Sequence, residues 1–127
     1  MTVLLDPAIH DAAEVAKLPA YLVKAVCRQE SSFRIWAWNP EPRYRYLWDI
    51  KKQAPFRALT AEENASEIPP PAFPAPPGVD RDAEWWGQQA SWGLMQLMGA
   101  VPREYGFAGQ DLPELLDVKL NLWYGCR

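Results

Sequence analysis

The sequence contains few of the residues that bind metals or build disulfide frameworks. Two cysteines, Cys27 and Cys126, and one histidine, His10, occur among its 127 residues. The cysteines lack the spacing of metal ligands and are too few for a disulfide scaffold, and one histidine excludes a histidine-rich site. We therefore predict no metal and no cofactor. We interpret both cysteines as free thiols, with Cys27 as a small core residue and a Cys27–Cys126 bridge as the alternative.

Long apolar runs and an excess of positive charge are also missing. No run approaches the roughly 18 apolar residues of a membrane span. The formal net charge of −3 and the pI near 5.1 argue against general affinity for nucleic acid, which depends on clustered Lys and Arg. The N-terminus has neither the basic region nor the apolar core of a secretory signal. We expect no nucleic-acid partner, no membrane span, and action inside the producing cell or export by a route that the chain does not encode.

Tryptophan and proline, by contrast, are abundant. The chain has seven Trp, five Tyr and 13 Pro, more aromatic surface than one small core needs. Flat aromatic faces are suited to stacking on ligands as well as to packing. Hydrophobic residues make up 49% and charged residues 23% of the chain, which is ordinary for a globular protein, and its length predicts one domain over residues 1–127.

One carboxylate, Glu30, stands where a helix normally carries an apolar residue. Residues 18–33 predict a helix of about three turns, with Pro19 in its first turn. Leu22, Val26 and Glu30 follow one another at helical spacing, so the acid completes an apolar face. Such a carboxylate is expected to be partly desolvated, which favours its protonated form and suits a proton donor. The alternative is a helix-end glutamate that leans into water.

Patterns elsewhere predict further helices around a long irregular segment. We expect helices over about 7–17, 93–104 and 118–127 and a helical turn over 83–89, with Asp6 and Asp117 as N-caps. Pro102 is expected to distort the 93–104 helix or to confine it to a short piece. Residues 34–86 show no sustained periodicity. Within them, 43–48 fit one strand of a hairpin, Thr60 and Glu63 fit a capping box, and the proline-rich 69–78 can only be extended.

Four motifs occur in a recognisable order along the chain. They are Gln29-Glu30-Ser31-Ser32-Phe33, the small-residue turn Ala90-Ser91, Gly93-Leu94-Met95-Gln96-Leu97-Met98, and Leu116-Asp117 followed by Asn121 and Gly125. Together they resemble the lytic transglycosylase domain of the soluble type, a member of the lysozyme-like superfamily that includes goose-type lysozymes. Glu-Ser-x-Phe alone is a weak signal, and the downstream Gly-Leu-Met-Gln makes the match specific. The resemblance covers most of the chain outside about 34–86.

The resemblance implies a mainly α, lysozyme-like helical domain with a groove for the glycan strands of peptidoglycan. Residues 34–86 are then a long insertion rich in proline and aromatics, with a possible small β-hairpin. The family's C-terminal helices, including one with an Ala-Tyr-Asn-type motif, are expected to be missing after Arg127. In the family chemistry one glutamate, here Glu30, first protonates the glycosidic oxygen between N-acetylmuramic acid and N-acetylglucosamine. It then acts as base on the muramic 6-hydroxyl, which gives a 1,6-anhydro end.

The resemblance also implies which residues bind substrate. Ser31 corresponds to the serine beside the acid, Gln96 to a residue that bonds substrate or supports the glutamate, and Met95 to the groove wall. We also predict substrate contacts from one small polar residue and three aromatic residues, Ser91, Trp38, Tyr46 and Trp92. Arg43 and Arg45 are candidates to meet carboxylates of lactyl or stem-peptide groups. The alternatives are helix capping for Ser31 and packing for Met95 and the aromatics.

The sequence is also consistent with two other functions. A goose-type muramidase would hydrolyse the same bond with a second carboxylate about 5 to 9.5 Å from the first, and Asp49, Asp80 and Asp82 are the candidates. A non-catalytic peptidoglycan-binding or virion structural module would keep the groove without turnover. In each case we expect a monomer that acts at the cell wall, in the periplasm or as part of a phage particle.

Overall fold

The computed structural model describes residues 2–41, 44–107 and 111–127, and these are mainly α-helical. The helices are α1 (Thr2–Ala16), α2 (Ala20–Ser31), α3 (Ala61–Ala65), α4 (Arg81–Gln88), α5 (Ala100–Glu104) and α6 (Val118–Gly125), with a 3-10 helix at Leu112–Leu116. The strands are β1 (Trp38–Pro40), β2 (Trp48–Asp49), β3 (Ala54–Pro55), β4 (Ala90–Trp92) and β5 (Leu97–Met98). None of the helices in the described ranges has the length and hydropathy that a membrane span requires.

The strands are short and form two small sheets. One has three strands in the order β1-β4-β5, and the other is the antiparallel pair β2-β3, with Trp48 opposite Pro55. The predicted hairpin therefore exists, but its first strand begins at Trp48 and not near residue 43. Arg43 itself lies outside the described residues. The predicted turn at Ala90-Ser91 is wrong, because both residues belong to β4.

The chain divides into two compact units. Unit 1 contains the described residues of 1–38, 92–97 and 114–127, and unit 2 contains those of 39–91 and 98–113. The core of unit 1 draws on α1, α2, α6 and the segment after β4, with the buried residues Leu5, Ile9, Ala13, Val23, Cys27, Leu94 and Leu122. The core of unit 2 consists of Leu47, Phe56, Leu59, Phe73 and Trp85. The prediction of one lysozyme-like domain over 1–127 stays a prediction.

Helix α1 begins earlier than the sequence predicts. It starts at Thr2 and contains Pro7, so the predicted N-cap role of Asp6 is wrong. Pro7 cannot donate a main-chain hydrogen bond, but the helix continues because Leu5 and Ile9 lie one turn apart and are both buried. Asp6 instead pairs with Lys24 of α2, with Nζ and Oδ1 3.0 Å apart.

The helix predicted from Gly93 to Glu104 is wrong over its first half. Residues 93–96 form a turn, and only Ala100–Glu104 is helical. Gly93 and Gln96 have φ values of 71° and 53°, which lie in the left-handed region and are incompatible with a right-handed helix. The downstream helix start is confirmed, since Asp117 accepts a hydrogen bond from Leu120 N at 3.0 Å.

Aromatic side chains pack against one another in the core of unit 2, and one of them, Phe73, belongs to the proline-rich segment. Phe73 packs edge-to-face against Phe56 and Trp85, with ring centroids 5.4 and 5.1 Å apart. The capping box of α3 is confirmed, because Thr60 and Glu63 exchange both predicted hydrogen bonds. The extended segment 69–78 is thus anchored through its one aromatic side chain.

An ion pair is buried in the same unit. Arg103 donates from Nε and Nη2 to the two carboxylate oxygens of Glu84, at 2.9 and 2.8 Å, and both side chains are fully buried. Gln88 Nε2 donates to Glu84 at 2.8 Å, and Arg103 Nη1 donates to Phe107 O at 2.9 Å. Neither charged residue is predicted to lie in the core from the sequence pattern.

Both cysteines are free thiols, as predicted. Cys27 is fully buried, and burial, reinforced by the charge of nearby Cys126, raises the pKa of the Cys27 thiol to about 12. Burial also raises the pKa of Cys126, which is less enclosed. Because the unfolded chain loses thiol protons first, these groups lower the free energy of unfolding as pH rises from about 9 towards 12.

Alkylation should distinguish the two thiols. The thiolate is the reactive form, so native Cys27 is expected to resist iodoacetamide at pH 8 while Cys126 reacts slowly and both react in guanidinium. Mass spectrometry of tryptic peptides measures each site separately. Equal labelling of both thiols in the native protein would contradict the burial of Cys27.

Candidate functional site

The candidate site lies in unit 1, at the C-terminal end of α2. Glu30 is the penultimate residue of this helix, and its side chain is exposed to solvent. Among the described residues its carboxylate has no hydrogen-bond or ion-pair partner. The buried face of α2 is formed by Val23, Cys27 and Ser31. The prediction that Glu30 is desolvated on the apolar face is therefore wrong, and the alternative of a glutamate that leans into water is confirmed.

Ser31 fastens the end of α2 to the Gly-Leu-Met-Gln segment. Its Oγ lies 2.7 Å from Leu94 O and 3.0 Å from Cys27 O, and its single proton makes the shorter bond to Leu94. This bond joins residues 63 positions apart. Because Ser31 is buried and bonded to main chain, it positions Glu30, and the geometry gives no support to contact between Ser31 and a ligand.

Helix α2 ends one residue after Glu30, and a turn follows at residues 32–33. Ser32 and Phe33 have φ values of 53° and 63°, and two consecutive non-glycine residues in the left-handed region are uncommon. Ser32 N donates to Arg28 O at 3.0 Å, which closes the helix end. Phe33 tolerates its conformation because its ring packs against the unit 1 core. The main chain on the C-terminal side of Glu30 is consequently fixed.

The turn at 93–96 requires glycine at its first position. A Cβ atom at Gly93 would lie 2.5 Å from Asn121 Nδ2 and 2.9 Å from Leu115 O. Gly93 N donates to Ala37 O at 2.7 Å, and Gln96 Nε2 donates to Gly93 O at 2.9 Å and to Ala37 O at 3.2 Å. The predicted site residue Gln96 therefore stabilises the turn with its side-chain amide.

Asn121 of α6 holds the same turn from the opposite side. It is fully buried; its Nδ2 donates to Trp92 O and Leu115 O, both at 2.8 Å, and its Oδ1 accepts from Met95 N at 2.8 Å. The sequence analysis included Asn121 in a motif but did not predict this role. The available signal was an asparagine inside a helix, where its low propensity favours a residue with specific hydrogen bonds.

Replacing this asparagine should measurably destabilise unit 1. Asn121→Ala leaves a buried N–H and two carbonyls without their partner, which we expect to cost about 2 to 4 kcal/mol of unfolding free energy. Urea unfolding followed by tryptophan fluorescence measures the change. Lys119→Ala, at an exposed position of the same helix, is the control and should be nearly neutral. Equal stability of the two variants would refute the role of Asn121.

Two of the predicted aromatic residues lie together in unit 1. The rings of Trp38 and Trp92 have centroids 6.0 Å apart at an interplanar angle of 58°. Trp38 is 47% exposed and Trp92 only 8%, so Trp38 is the member of the pair that a ligand can reach, and Trp92 packs behind it. Met95 is partly buried and packs against Gly125, where an added Cβ atom would displace the flexible Met95 side chain.

The other two predicted substrate residues belong to unit 2. Ser91 is buried, and its Oγ donates to Glu41 Oε1 at 3.1 Å. Tyr46 is 78% exposed and packs edge-to-face with Tyr44. Arg45 is also exposed.

The candidates for a second carboxylate also belong to unit 2. Asp49 is buried, and its Oδ1 accepts hydrogen bonds from Lys51 N and Lys52 N, both at 3.0 Å. Asp80 caps α4 through Ala83 N, and Asp82 is exposed in the first turn of that helix. Across residues 2–41, 44–107 and 111–127, no group of three or more His, Cys, Asp or Glu side chains is placed to hold a metal ion.

Comparisons with known proteins gave no match. No protein-family model, curated protein or solved structure was found to match this chain. The functional interpretation therefore depends on the motifs and on the geometry of unit 1.

Proposed function

We propose that this chain cleaves the glycan strands of peptidoglycan as a lytic transglycosylase with a lysozyme-like fold, and that Glu30 is its only catalytic acid and base. The observation that carries the proposal is the hydrogen bond from Ser31 to Leu94, at 2.7 Å. It joins the Glu-Ser motif to the Gly-Leu-Met-Gln motif, and Asn121 of the last motif holds the same turn. Motifs that are far apart in sequence therefore meet at the end of the helix that carries Glu30.

The chemistry needs one carboxylic acid and neither a metal nor a cofactor. Protonated Glu30 gives its proton to the glycosidic oxygen as the bond to C1 of N-acetylmuramic acid breaks, which releases the N-acetylglucosamine hydroxyl. The Glu30 carboxylate then takes the proton of the muramic 6-hydroxyl while the 6-oxygen of the muramic acid bonds to C1. The product is a 1,6-anhydro end, and Glu30 is protonated again for the next cycle.

The exposure of Glu30 suits a polymeric substrate. An exposed carboxylate is accessible to a long glycan strand, and a bound strand displaces water from around it. Trp38 belongs to the same unit as Glu30, and its half-exposed ring is suited to stack on a sugar of the strand. Ser31 and the left-handed residues after it keep the main chain at Glu30 in place.

Product analysis tests the proposal. Purified peptidoglycan is incubated with the full chain, and the released muropeptides are analysed by liquid chromatography and mass spectrometry. We expect 1,6-anhydro ends, and none with Glu30→Gln. Ends that are one water heavier would identify a muramidase. Sedimentation of the protein with peptidoglycan without new ends would identify a binding module, and either result would overturn the proposal.

A further inference from the structure

A cavity of about 510 Å³ lies within unit 2, and none of the residues that line it takes part in the proposed chemistry. Lys51, Lys52 and Arg81 are among the residues that line it, together with Asp49. Three cations against one carboxylate is a local excess of positive charge in a chain whose formal net charge is −3. The charge of the cavity therefore favours an anionic ligand.

The single carboxylate in this cavity is engaged with the main chain. Asp49 Oδ1 accepts from the N–H groups of Lys51 and Lys52, which fixes the turn between β2 and β3. The two lysine side chains are exposed, and neither forms an ion pair with a described residue. Both ammonium groups are thus available to a ligand.

The third cation fixes the proline-rich wall of the cavity. Arg81 donates from Nε to Phe73 O at 3.0 Å and from Nη2 to Pro70 O at 2.7 Å, so it attaches the proline-rich segment to the start of α4. Its partners are neutral carbonyls, which leave the guanidinium charge uncompensated. Because Phe73 is itself buried in the unit 2 core, this wall is anchored at both side chain and main chain.

The dimensions and the wall indicate the class of ligand. A volume of about 510 Å³ is typical of a site for a small organic molecule rather than a single inorganic ion. The wall contains Pro71 and Pro74, which lack N–H groups, so this segment is richer in carbonyl acceptors than in donors. Peptides provide N–H donors for such a wall, and their carboxylates match the lysine ammonium groups.

We propose that this cavity binds a short peptide that carries two or more carboxylates, the chemistry of the stem peptides of peptidoglycan. The assignment to stem peptides depends on the proposed function, whereas the preference for an acidic peptide follows from the cavity alone. In this arrangement Lys51 and Lys52 bind carboxylates, and Arg81 adds positive charge and fixes the wall.

Calorimetric titration of the full chain with synthetic L-Ala-γ-D-Glu-meso-diaminopimelate tests the proposal. Lys51→Ala combined with Lys52→Ala should weaken binding at least about tenfold, and raising NaCl from about 50 to about 500 mM should weaken binding to the wild type. Alanine keeps the N–H groups that Asp49 accepts, so the double variant should fold, which its thermal midpoint checks. Lys17→Ala, an exposed lysine in unit 1, should leave the affinity unchanged.

Two further results separate this inference from the proposed function. Uncharged chitotetraose should bind the wild type and the double lysine variant equally, because it has no carboxylates. Failure of the tripeptide to bind, or equal binding to wild type and double variant, would overturn the inference even if glycan strands are cleaved. Lysine-dependent binding of the tripeptide without glycan cleavage would support the acidic-peptide site and refute only the proposed transglycosylase activity.

Discussion

The Glu30→Gln variant is expected to release anhydro-muropeptides from purified peptidoglycan at least about 1,000-fold more slowly than the wild type. Glutamine has nearly the same shape as glutamate, but it can neither protonate the glycosidic oxygen nor take the proton of the muramic 6-hydroxyl. Both steps assigned to Glu30 are therefore lost together. The initial rate of anhydro-end formation, measured by mass spectrometry, gives the size of the effect.

The exposure of Glu30 makes this experiment easy to interpret. Because the side chain is exposed and has no described polar partner, the substitution should change the unfolding free energy by less than about 0.5 kcal/mol. Glu14→Gln, at an exposed position on α1 in the same unit, is the matched control and should keep full activity. Undiminished activity of Glu30→Gln would show that another group supplies the proton.

Helix ends were predictable where the main chain and a neighbouring side chain determine them. The capping box of Thr60 and Glu63 and the N-cap Asp117 are local hydrogen-bond patterns that few other residues can form. The end of α2 at Ser31 also agrees with the sequence. Asp6-Pro7 misled the prediction of α1 because burial of Leu5 extends the helix beyond a favourable start signal.

The orientation of α2 was not predictable from periodicity. Leu22 and Val26 form one apolar stripe, and Val23 and Cys27 form another stripe one residue further along. Both fit a helix, and contacts with distant segments select the second, because Ser31 at its end bonds to Leu94. The sequence thus identified Glu30 as a candidate but gave the wrong environment for it.

The conformation of the Gly93–Gln96 turn was also not predictable from the local sequence pattern. Its left-handed residues depend on hydrogen bonds to Ala37 and Asn121, which lie far away in sequence, and a local pattern of apolar residues suggested a helix instead. The Gly93–Gln96 motif therefore indicated a segment that contacts the end of α2, through the bond from Ser31 to Leu94, but not the secondary structure of that segment. The role of Asn121 in holding this turn became apparent only from its three buried hydrogen bonds.

No sequence pattern predicted the buried ion pair of unit 2. Breaking this pair should have the largest effect on the free energy of unfolding. Arg103→Met leaves the Glu84 carboxylate buried without its partner, which we expect to cost about 3 to 5 kcal/mol of unfolding free energy. Glu84→Met combined with Arg103→Met should recover a large part of this loss, because two apolar side chains can fill the space without an unpaired charge. Denaturant unfolding of both variants measures the difference.

A second ion pair of similar geometry provides the control for burial. Arg57 Nη1 and Nη2 donate to Glu63 Oε1 and Oε2 at 2.6 and 2.7 Å, and the Arg57 side chain is 53% exposed. Arg57 holds the pKa of the Glu63 carboxyl down at about 2, but solvent screens an exposed pair. Arg57→Met should therefore destabilise the protein far less than Arg103→Met. Equal losses would show that the bidentate geometry, and not burial, determines the cost of removing the arginine.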